Sequence, residues 1–257
     1  MSRRAMVVVA GVVVVAAALL AGVRMTKPAG SFAAKTAWGE PDLTGVWRAA
    51  PLGAASGRDT FNLATLEALY TPEARARMQG LSANEDPTMR CAPPAFPRAA
   101  MLGHSVQIVQ RPGFAYVFTE AYPAFRIVPT TGRAHTSAQY LFPTYLGDST
   151  ARWEGDTLVV DVTSFNDEGW LASPQDKPTS ASTGVWVTSD AMHVVERWRR
   201  IDADTLEYRA TVDDPKTLTM PWETPVVVFT RQNVDKIQEV LCRPEDGPAT
   251  YLARLGA

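Results

Sequence analysis

Short runs of alternating apolar and polar residues dominate the chain from about Ser105 onward, and this period of two is typical of half-buried β-strands. The runs are rich in Val, Ile, Thr and aromatic residues and are separated by Gly, Pro and Asp. Because no long helical pattern lies between them, an antiparallel sheet is favoured over a parallel βαβ sheet. The predicted strands are 105–111, 114–119, 124–129, 148–153, 157–163, 191–201, 205–213, 224–231 and 236–241.

Helical spacing is confined to a short region ahead of these strands. Leu63, Leu66 and Leu69 lie on one face of a helix. A second helix is predicted to begin after the capping residue Thr71 and to end at Gly80. The fold class is therefore mostly β, with one or two short N-terminal helices.

An uninterrupted apolar run, Ala5–Val23, distinguishes the N-terminus from the rest of the chain. At about 1.5 Å rise per helical residue its 19 residues reach roughly 28 Å, close to the thickness of a bilayer core. Small residues just before position 35 form a late cleavage site. Residues 1–34 therefore predict a signal peptide or an N-terminal membrane anchor, and residues 35–257 a single β-rich domain. The basic residues that flank the run are Arg3, Arg4, Arg24 and Lys27.

Both alternatives for the N-terminus place the folded domain outside the cytoplasm, in the periplasm or the cell envelope. A cleaved signal peptide would release the domain. An uncleaved segment would instead attach it to the inner membrane through residues 5–23.

The charge of the domain argues against a nucleic-acid partner. The whole chain has 25 basic and 27 acidic side chains, a formal net charge of −2. The four basic residues before position 35 leave the domain with 21 basic against 27 acidic side chains, a formal net charge of −6. Phosphate backbones repel such a domain, so no nucleic-acid binding is expected.

Sequence motifs for cofactors and metals are absent. The chain has no phosphate loop, no Gly-x-Gly-x-x-Gly, no His-Glu-x-x-His, no Cys-x-x-Cys and no Gly-x-Ser-x-Gly. Its histidines, at positions 104, 135 and 193, are not spaced as zinc ligands. We therefore predict neither a cofactor nor a metal site.

Strand 205–213 predicts the register of the strand before it. Its apolar residues alternate cleanly, and a three-residue hairpin loop places Trp198 opposite Tyr208. The same register places Glu196 on the apolar face, where an ionised carboxylate loses water. Burial there favours the protonated acid, which suits general acid catalysis, unless a partner such as Arg126 holds it charged in an ion pair.

Ionisable and aromatic residues on these strands and near the large loop predicted at 166–189 are candidates for chemistry or binding. His193 falls opposite Asp213, as a general base with its orienting group or as an edge ion pair. Arg126 could steady an anion. The candidate catalytic residues are Glu196, His193, His135 and Asp161. The candidate binding residues are Arg126, Trp153, Asn166, Trp170, Trp198 and Tyr208.

Gly45-Val46-Trp47, at the start of the first strand, resembles the Gly-x-Trp signature of lipocalin-like barrels. In such barrels the Trp plugs one end and an Arg from a late strand packs over it. Here that Arg is Arg200 or Arg231. The resemblance implies a lipocalin-like antiparallel β-barrel, and the alternative is an ordinary buried Trp on a first strand.

A second resemblance extends from Pro41 to Cys242. Its residues are similar to a widespread family of exported, uncharacterised bacterial proteins. The resemblance implies an exported β-rich domain and no particular activity. The markers include Pro41-Asp42-Leu43-Thr44-Gly45-Val46-Trp47, Arg90-Cys91-Ala92-Pro93, Gly147-Asp148-Ser149, Trp153-Glu154-Gly155-Asp156-Thr157-Leu158-Val159-Val160-Asp161 and Glu196-Arg197-Trp198.

Cys91 and Cys242 are the only cysteines, and both lie in Pro-containing loops of a chain predicted to be exported. An oxidising compartment favours their pairing, so we predict a disulfide. Two buried free thiols are the alternative.

Three functions stay open at this point. In the first, apolar strand faces enclose a cavity that binds a small hydrophobic or aromatic molecule. In the second, the same cavity belongs to a cofactor-independent acid–base enzyme, such as an isomerase, lyase or cyclase. In the third, the protein is a structural or interaction protein of the envelope with a fully packed core. An ionisable pair inside a cavity would distinguish the second function from the first.

Overall fold

The computed structural model describes residues 34–49, 63–136, 142–173, 176, 185–238 and 240–243. The apolar run 5–23 lies outside the described residues. Within those ranges, no helix combines the length and the apolar composition needed to cross a membrane.

Strands are the commonest regular element of the described residues, and three short α-helices and two 3₁₀ helices accompany them. The predicted cap of the second helix is present, since the Thr71 hydroxyl accepts a hydrogen bond from Ala74 N (3.2 Å), and Gly80 ends that helix. The strands are β1 (Gly45–Ala49), β2 (Ser105–Arg111), β3 (Phe114–Thr119), β4 (Ala124–Pro129), β5 (Asp148–Glu154), β6 (Thr157–Thr163), β7 (Trp170–Ala172), β8 (Trp186–Val187), β9 (His193–Arg200), β10 (Thr205–Asp213), β11 (Trp222–Glu223) and β12 (Val227–Arg231). The α-helices are α1 (Leu63–Leu69), α2 (Pro72–Gln79) and α3 (Arg98–Met101).

Nine of the strands form one nearly closed barrel, in the order β4-β3-β2-β1-β12-β10-β9-β6-β5. Every neighbouring pair in this order is antiparallel. Around the ring the strands follow chain order, and β12 returns to pair with β1. This up-and-down arrangement is that of lipocalin-like barrels, so the predicted fold class is confirmed.

The odd number of strands leaves one side of the barrel without a ladder. Because each pairing from β4 round to β5 reverses the direction, these two end strands of the order point the same way. Parallel neighbours need a return connection, which residues 130–147 supply. In the described structure β4 and β5 share no ladder, but Gly132 N donates to Ala151 O (2.7 Å), so the return segment lies against β5. We call the gap between β4 and β5 the seam.

The predicted register of β9 and β10 is confirmed. Tyr208 lies opposite Trp198, and Ala210 lies opposite Glu196. Alternate residues of both strands therefore face the barrel interior. There the ring of Trp198 packs against those of Tyr208 and Phe229, with centroids 4.5 and 5.7 Å apart.

The loop of residues 82–101 closes one end of the barrel. Its Phe96 enters the core, with the ring centroid 5.5 Å from that of Trp198. Arg98 is buried and forms ion pairs with Asp86 (2.5 Å) and Asp176 (2.7 Å). Burial raises the pKa of Asp86, but the charge and hydrogen bonds of Arg98 outweigh it and hold that pKa below its ordinary value.

The predicted disulfide between Cys91 and Cys242 is present. It joins the loop that closes the barrel to the C-terminal part of the described chain. Because disulfides persist in oxidising compartments, it indicates an exported or extracellular domain.

Trp47 packs toward the opposite end of the barrel. Its Nε1 donates to Leu43 O (2.9 Å). The guanidinium groups of Arg200 and Arg231 both lie over its ring, 5.2 and 5.6 Å from the centroid, so the two candidates share the role that the resemblance implied. Gly45 has φ +151°, and a Cβ there would lie 3.3 Å from the Trp47 Nε1, so glycine leaves room for the ring.

The C-terminal strand predictions are wrong in detail. The predicted strand 236–241 is absent from its described residues. The predicted strand 224–231 begins only at Val227, because the Thr224 hydroxyl accepts the hydrogen bond of Ala210 N (2.9 Å) and interrupts the ladder.

The large loop predicted at 166–189 contains two short strands. β7 and β8 pair with each other outside the barrel sheet. Residues 174–175 and 177–184 of this loop lie outside the described residues.

Candidate functional site

A pocket of about 350 Å³ opens at the seam, beside residues of β4 and the first residues of β5. Strand alternation turns Arg126 of β4 and Ser149 of β5 toward the barrel interior, and both residues belong to the lining of the pocket. The apolar lining residues are Pro93, Phe125, Ile127 and Leu146, and the polar ones include Arg126, Tyr145, Asp148 and Ser149.

Arg126 and Glu196 form an ion pair inside the barrel wall. The Arg126 Nη1 lies 2.5 Å from Glu196 Oε1, and its Nη2 lies 2.8 Å from Oε2. Only 5% of the Arg126 side chain and none of the Glu196 side chain is exposed. Trp198 Nε1 donates to Glu196 Oε2 (2.8 Å), and the guanidinium lies 4.2 Å from the centroid of Phe96. Of the two roles considered for Glu196, the ion pair is the one that the structure contains.

This pairing leaves one guanidinium nitrogen, Nε, without a partner among the described residues. Both Arg126 Nη atoms face Glu196, whereas Arg126 Nε is buried and has no hydrogen-bond partner among the described residues. Ser149 Oγ is likewise buried and has no hydrogen-bond partner among the described residues. An unpaired buried polar group costs about 1–3 kcal/mol, so two such groups on one pocket are an expensive arrangement for a purely structural wall.

Arg126 of the ion pair and the neighbouring Tyr208 each keep one protonation state at physiological pH. Burial lowers the pKa of Arg126, but the charge and hydrogen bonds of Glu196 outweigh it and raise that pKa above its ordinary value. Burial and the charge of Glu196 raise the pKa of Tyr208 well above its ordinary value. The Tyr208 hydroxyl is therefore a neutral donor at physiological pH, and within the described part of the chain it has no hydrogen-bond partner.

Gly147 and Tyr145 shape the pocket where β5 begins. Gly147 has φ +68°, and a Cβ there would lie 2.6 Å from Thr163 O, so only glycine lets the chain approach the end of β6 this closely. The Tyr145 hydroxyl donates to Glu168. Burial and that carboxylate raise the pKa of Tyr145 to about 12, so the phenol stays protonated.

Four ionisable side chains form a chain of hydrogen bonds on the outer surface beside the seam. His135 Nδ1 lies 2.8 Å from Asp148 Oδ2, and His135 Nε2 lies 2.9 Å from Asp161 Oδ1. His193 Nε2 lies 3.0 Å from the same Asp161 Oδ1. We call Asp148, His135, Asp161 and His193 the outer cluster.

The outer cluster favours a charged imidazole at His135. Partial burial lowers the pKa of His135, but hydrogen bonds to Asp161 and Asp148 outweigh it and raise that pKa above 6.5. Burial also raises the pKa of both carboxyls, and their histidine partners outweigh it and lower both values below 3.8. At mildly acidic pH an imidazolium therefore lies between two carboxylates.

The barrel wall separates the predicted catalytic residues into two groups. Glu196 faces the interior, whereas His135, Asp161 and His193 lie outside. Asp148 connects the outer group to the pocket, because it binds His135 and also lines the pocket. The predicted pairing of His193 with Asp213 is correct in register, but the hydrogen bond of the His193 ring goes to Asp161.

The predicted binding residues have different positions. Arg126 lines the pocket, while Trp198 and Tyr208 pack in the barrel interior beside the ion pair. Trp170 is buried in β7, and Trp153 packs against the core from β5.

Asn166 supports the pocket through its backbone. Asn166 N donates to Thr144 O (2.9 Å) and so holds a segment that lines the pocket.

Asp148 and Ser149 are site residues that the sequence reasoning missed. Neither interrupts an apolar pattern, since they begin a strand after a long connection. Their only sequence signal was the marker Gly147-Asp148-Ser149 in the family resemblance. Within the described ranges, no group of three or more His, Cys, Asp or Glu side chains could hold a metal ion.

No protein-family model and no curated protein matches the chain. Among solved structures, the chain is similar to a secretary abundant heat soluble (SAHS) protein from Ramazzottius varieornatus. The identity is 11%, the match covers 76% of this chain and 97% of that chain, and the TM-score is 0.34. A likeness at this level says nothing about function, which must be argued from the residues.

Proposed function

We propose that this exported barrel binds a small hydrophobic or aromatic molecule in the seam pocket, with an oxygen acceptor of the ligand directed at Arg126. The observation that carries the proposal is that two residues of the pocket lining, Arg126 and Ser149, each have a buried polar atom, Nε and Oγ, with no hydrogen-bond partner among the described residues. A bound acceptor would satisfy the Nε–H donor, and the serine hydroxyl can donate or accept.

The chemistry of the lining defines the class of ligand. Phe125, Ile127 and Leu146 supply apolar contact for a ring or a short chain. Glu196 already neutralises the Arg126 guanidinium, so the pocket has no uncompensated positive charge that would demand an anion. A carbonyl or hydroxyl oxygen on a small apolar body therefore fits better than a carboxylate.

The acid–base enzyme is less well supported. It requires a proton-transferring pair inside one cavity. The structure instead contains Glu196 locked to Arg126 on one side of the wall and His135, Asp161 and His193 on the other. The third alternative, a fully packed structural protein, leaves the two unpartnered atoms of the pocket wall without a role.

The compartment of the proposed binding protein is the periplasm or the cell envelope. The disulfide supports export, and the basic residues and apolar run at the N-terminus agree with it. Residues 5–23 would either be removed with the signal peptide or hold the barrel at the inner membrane.

Native mass spectrometry of protein purified from its own host tests whether a small molecule is retained. Acetophenone, an aromatic ring with one carbonyl, serves as a defined probe by ligand-observed NMR titration. We expect Ser149→Ala to weaken acetophenone binding by about 2–10-fold, the loss of one hydrogen bond. Because the Ser149 hydroxyl has no partner among the described residues, the same substitution should leave the free energy of unfolding unchanged or slightly increase it.

Thr217→Val is the matched control for this experiment. Its hydroxyl is also buried and unpartnered among the described residues, but Thr217 does not line the pocket. The control should bind acetophenone as the unmodified protein does. Equal affinity of both variants and the unmodified protein would contradict the proposed site.

A further inference from the structure

The outward surface of β2, β3 and β4 is apolar, although the outer surface of a soluble barrel is ordinarily polar. Nine outward positions lie in three cross-strand rows, and only Gln107 and Arg111 among them are polar. Phe125, Ile127 and Val109 are 60%, 51% and 38% exposed. Pro129 is buried, and the remaining six apolar positions, which we call the apolar face, are Val109, Phe114, Tyr116, Phe118, Phe125 and Ile127.

The outward surface of β9 and β10 differs from the apolar face. Arg197 and Arg199 of β9 lie there beside Glu207 and Arg209 of β10. Arg197 is paired with Glu154, as on an ordinary solvated surface. The apolar face is therefore a local feature of three strands, and contiguous exposed apolar surface of this kind marks an interaction site.

We propose that the apolar face docks on the surface of a lipid bilayer. The path of the chain supports this partner. Just after the N-terminal segment, Pro41 O accepts a hydrogen bond from Gln110 Nε2 (3.1 Å), and Leu43 N donates to Gln110 Oε1 (2.6 Å). Glu40 also contacts Thr130 (3.5 Å). The chain thus joins the barrel at the ends of β2 and β4, two of the strands that carry the apolar face.

The segment between the apolar run 5–23 and the described chain is short. Residues 24–33 reach at most about 36 Å when fully extended. In the anchored form, the apolar face is therefore within reach of the lipid surface.

The composition of the apolar face also suits the boundary between lipid headgroups and acyl chains. Arg111 lies 4.7 Å from the ring centroid of Phe114 and 5.7 Å from that of Tyr116. Trp38, which precedes the first strand, is 39% exposed. Aromatic rings with a neighbouring cation are typical of the interfacial zone of membranes.

The docked orientation would bring the seam pocket to the bilayer. Phe125 and Ile127 belong to the apolar face and also line the pocket. Docking does not require that the pocket binds a ligand, so the two proposals stand or fall separately.

Site-specific photocrosslinking on the full chain tests the docking. The chain is reconstituted into vesicles of equimolar phosphatidylcholine and phosphatidylglycerol, with p-benzoyl-L-phenylalanine in place of Phe125. A second protein carries the same photoreactive residue in place of Arg209, on the charged surface. We expect about tenfold more lipid adduct from position 125 than from position 209.

Three results would overturn the docking proposal. Equal amounts of lipid adduct at positions 125 and 209 would show that the barrel lies near the bilayer but does not turn the apolar face toward it. A crosslink from position 125 to a second copy of the chain would make the apolar face a dimer interface. No adduct at position 125, in protein whose circular dichroism matches that of the unmodified chain, would leave the face in water.

Discussion

The Arg126–Glu196 pair and the outer cluster lie on opposite sides of the same barrel wall, and they hold their charges in different surroundings. The inner pair is 5% and 0% exposed and is held by two hydrogen bonds. In the outer cluster, Asp148, His135, Asp161 and His193 are 15%, 27%, 33% and 40% exposed. Burial therefore makes the inner pair costly to break, whereas access to water makes the outer cluster weak but titratable.

The largest expected effect is on the inner pair. Glu196→Gln keeps the shape of the side chain and leaves the Arg126 charge buried without a counter-ion, so the free energy of unfolding should fall by about 3–5 kcal/mol. Chemical denaturation monitored by tryptophan fluorescence measures the loss. The surface variant Glu154→Gln removes an exposed ion-pair partner and should leave stability almost unchanged. Similar unfolding free energies of Glu196→Gln and Glu154→Gln would contradict the claim that a buried ion pair costs more to break than an exposed one.

A double-mutant cycle sharpens the same contrast. Arg126→Met should destabilise the protein as well, because it leaves the Glu196 carboxylate buried without its cation. The protein that carries both Arg126→Met and Glu196→Gln should lose less stability than the two single losses added, by more than about 1 kcal/mol. Strict additivity of the two changes would mean that the residues act independently.

The smallest effect, and the one that depends on pH, belongs to the outer cluster. The folded pKa of His135 is raised, so its contribution to stability is fully present below the unfolded pKa of about 6.5. The contribution is lost as the pH rises through the folded pKa. His135→Gln should therefore cost on the order of 1 kcal/mol or less at pH 6 and still less at pH 8.

His104 also makes stability depend on pH, so the contribution of His135 must be measured as a difference between the unmodified protein and His135→Gln. Burial lowers the pKa of His104 to about 4, so the protein loses stability as the pH falls below about 6.5. The His104 change is centred below pH 6.5 and the His135 change above it, and the two have opposite signs. Subtracting the His135→Gln curve from that of the unmodified protein cancels the contribution of His104. A difference that is constant from pH 6 to pH 8 would rule out a protonated His135 in the outer cluster.

Local rules explain the parts of the fold that the sequence predicted well. The clean alternation of Leu206, Tyr208, Ala210 and Val212 predicted the partner of every residue in β9, including Glu196. The Thr71 cap and the ring of Trp47 also depend on neighbours close in sequence or on one strand ladder. The disulfide required only that two cysteines share an oxidising compartment.

The seam could not be predicted, because it depends on the number of strands and on a long connection. The sequence predicted a first strand at Gly45-Val46-Trp47 and nine strands from Ser105 onward, including 236–241, and ten strands would close a barrel with every pair antiparallel. Without strand 236–241 the barrel has nine strands, and an odd number makes the two end strands, β4 and β5, point the same way. His135 and Asp148 then meet across a return segment whose path no periodicity specifies. Ser149 likewise became a site residue only through the position of the seam.

The Nε–H resonance of Arg126 tests the central claim, that the seam pocket binds a small molecule through its unused donor. Protein labelled with ¹⁵N-arginine is titrated with acetophenone, and the resonance is assigned by its absence from Arg126→Lys. We expect the Arg126 Nε–H signal to move downfield with saturation, as a new hydrogen bond to the carbonyl requires. An unchanged Nε–H signal while acetophenone binds, or the absence of any binding, would contradict the account.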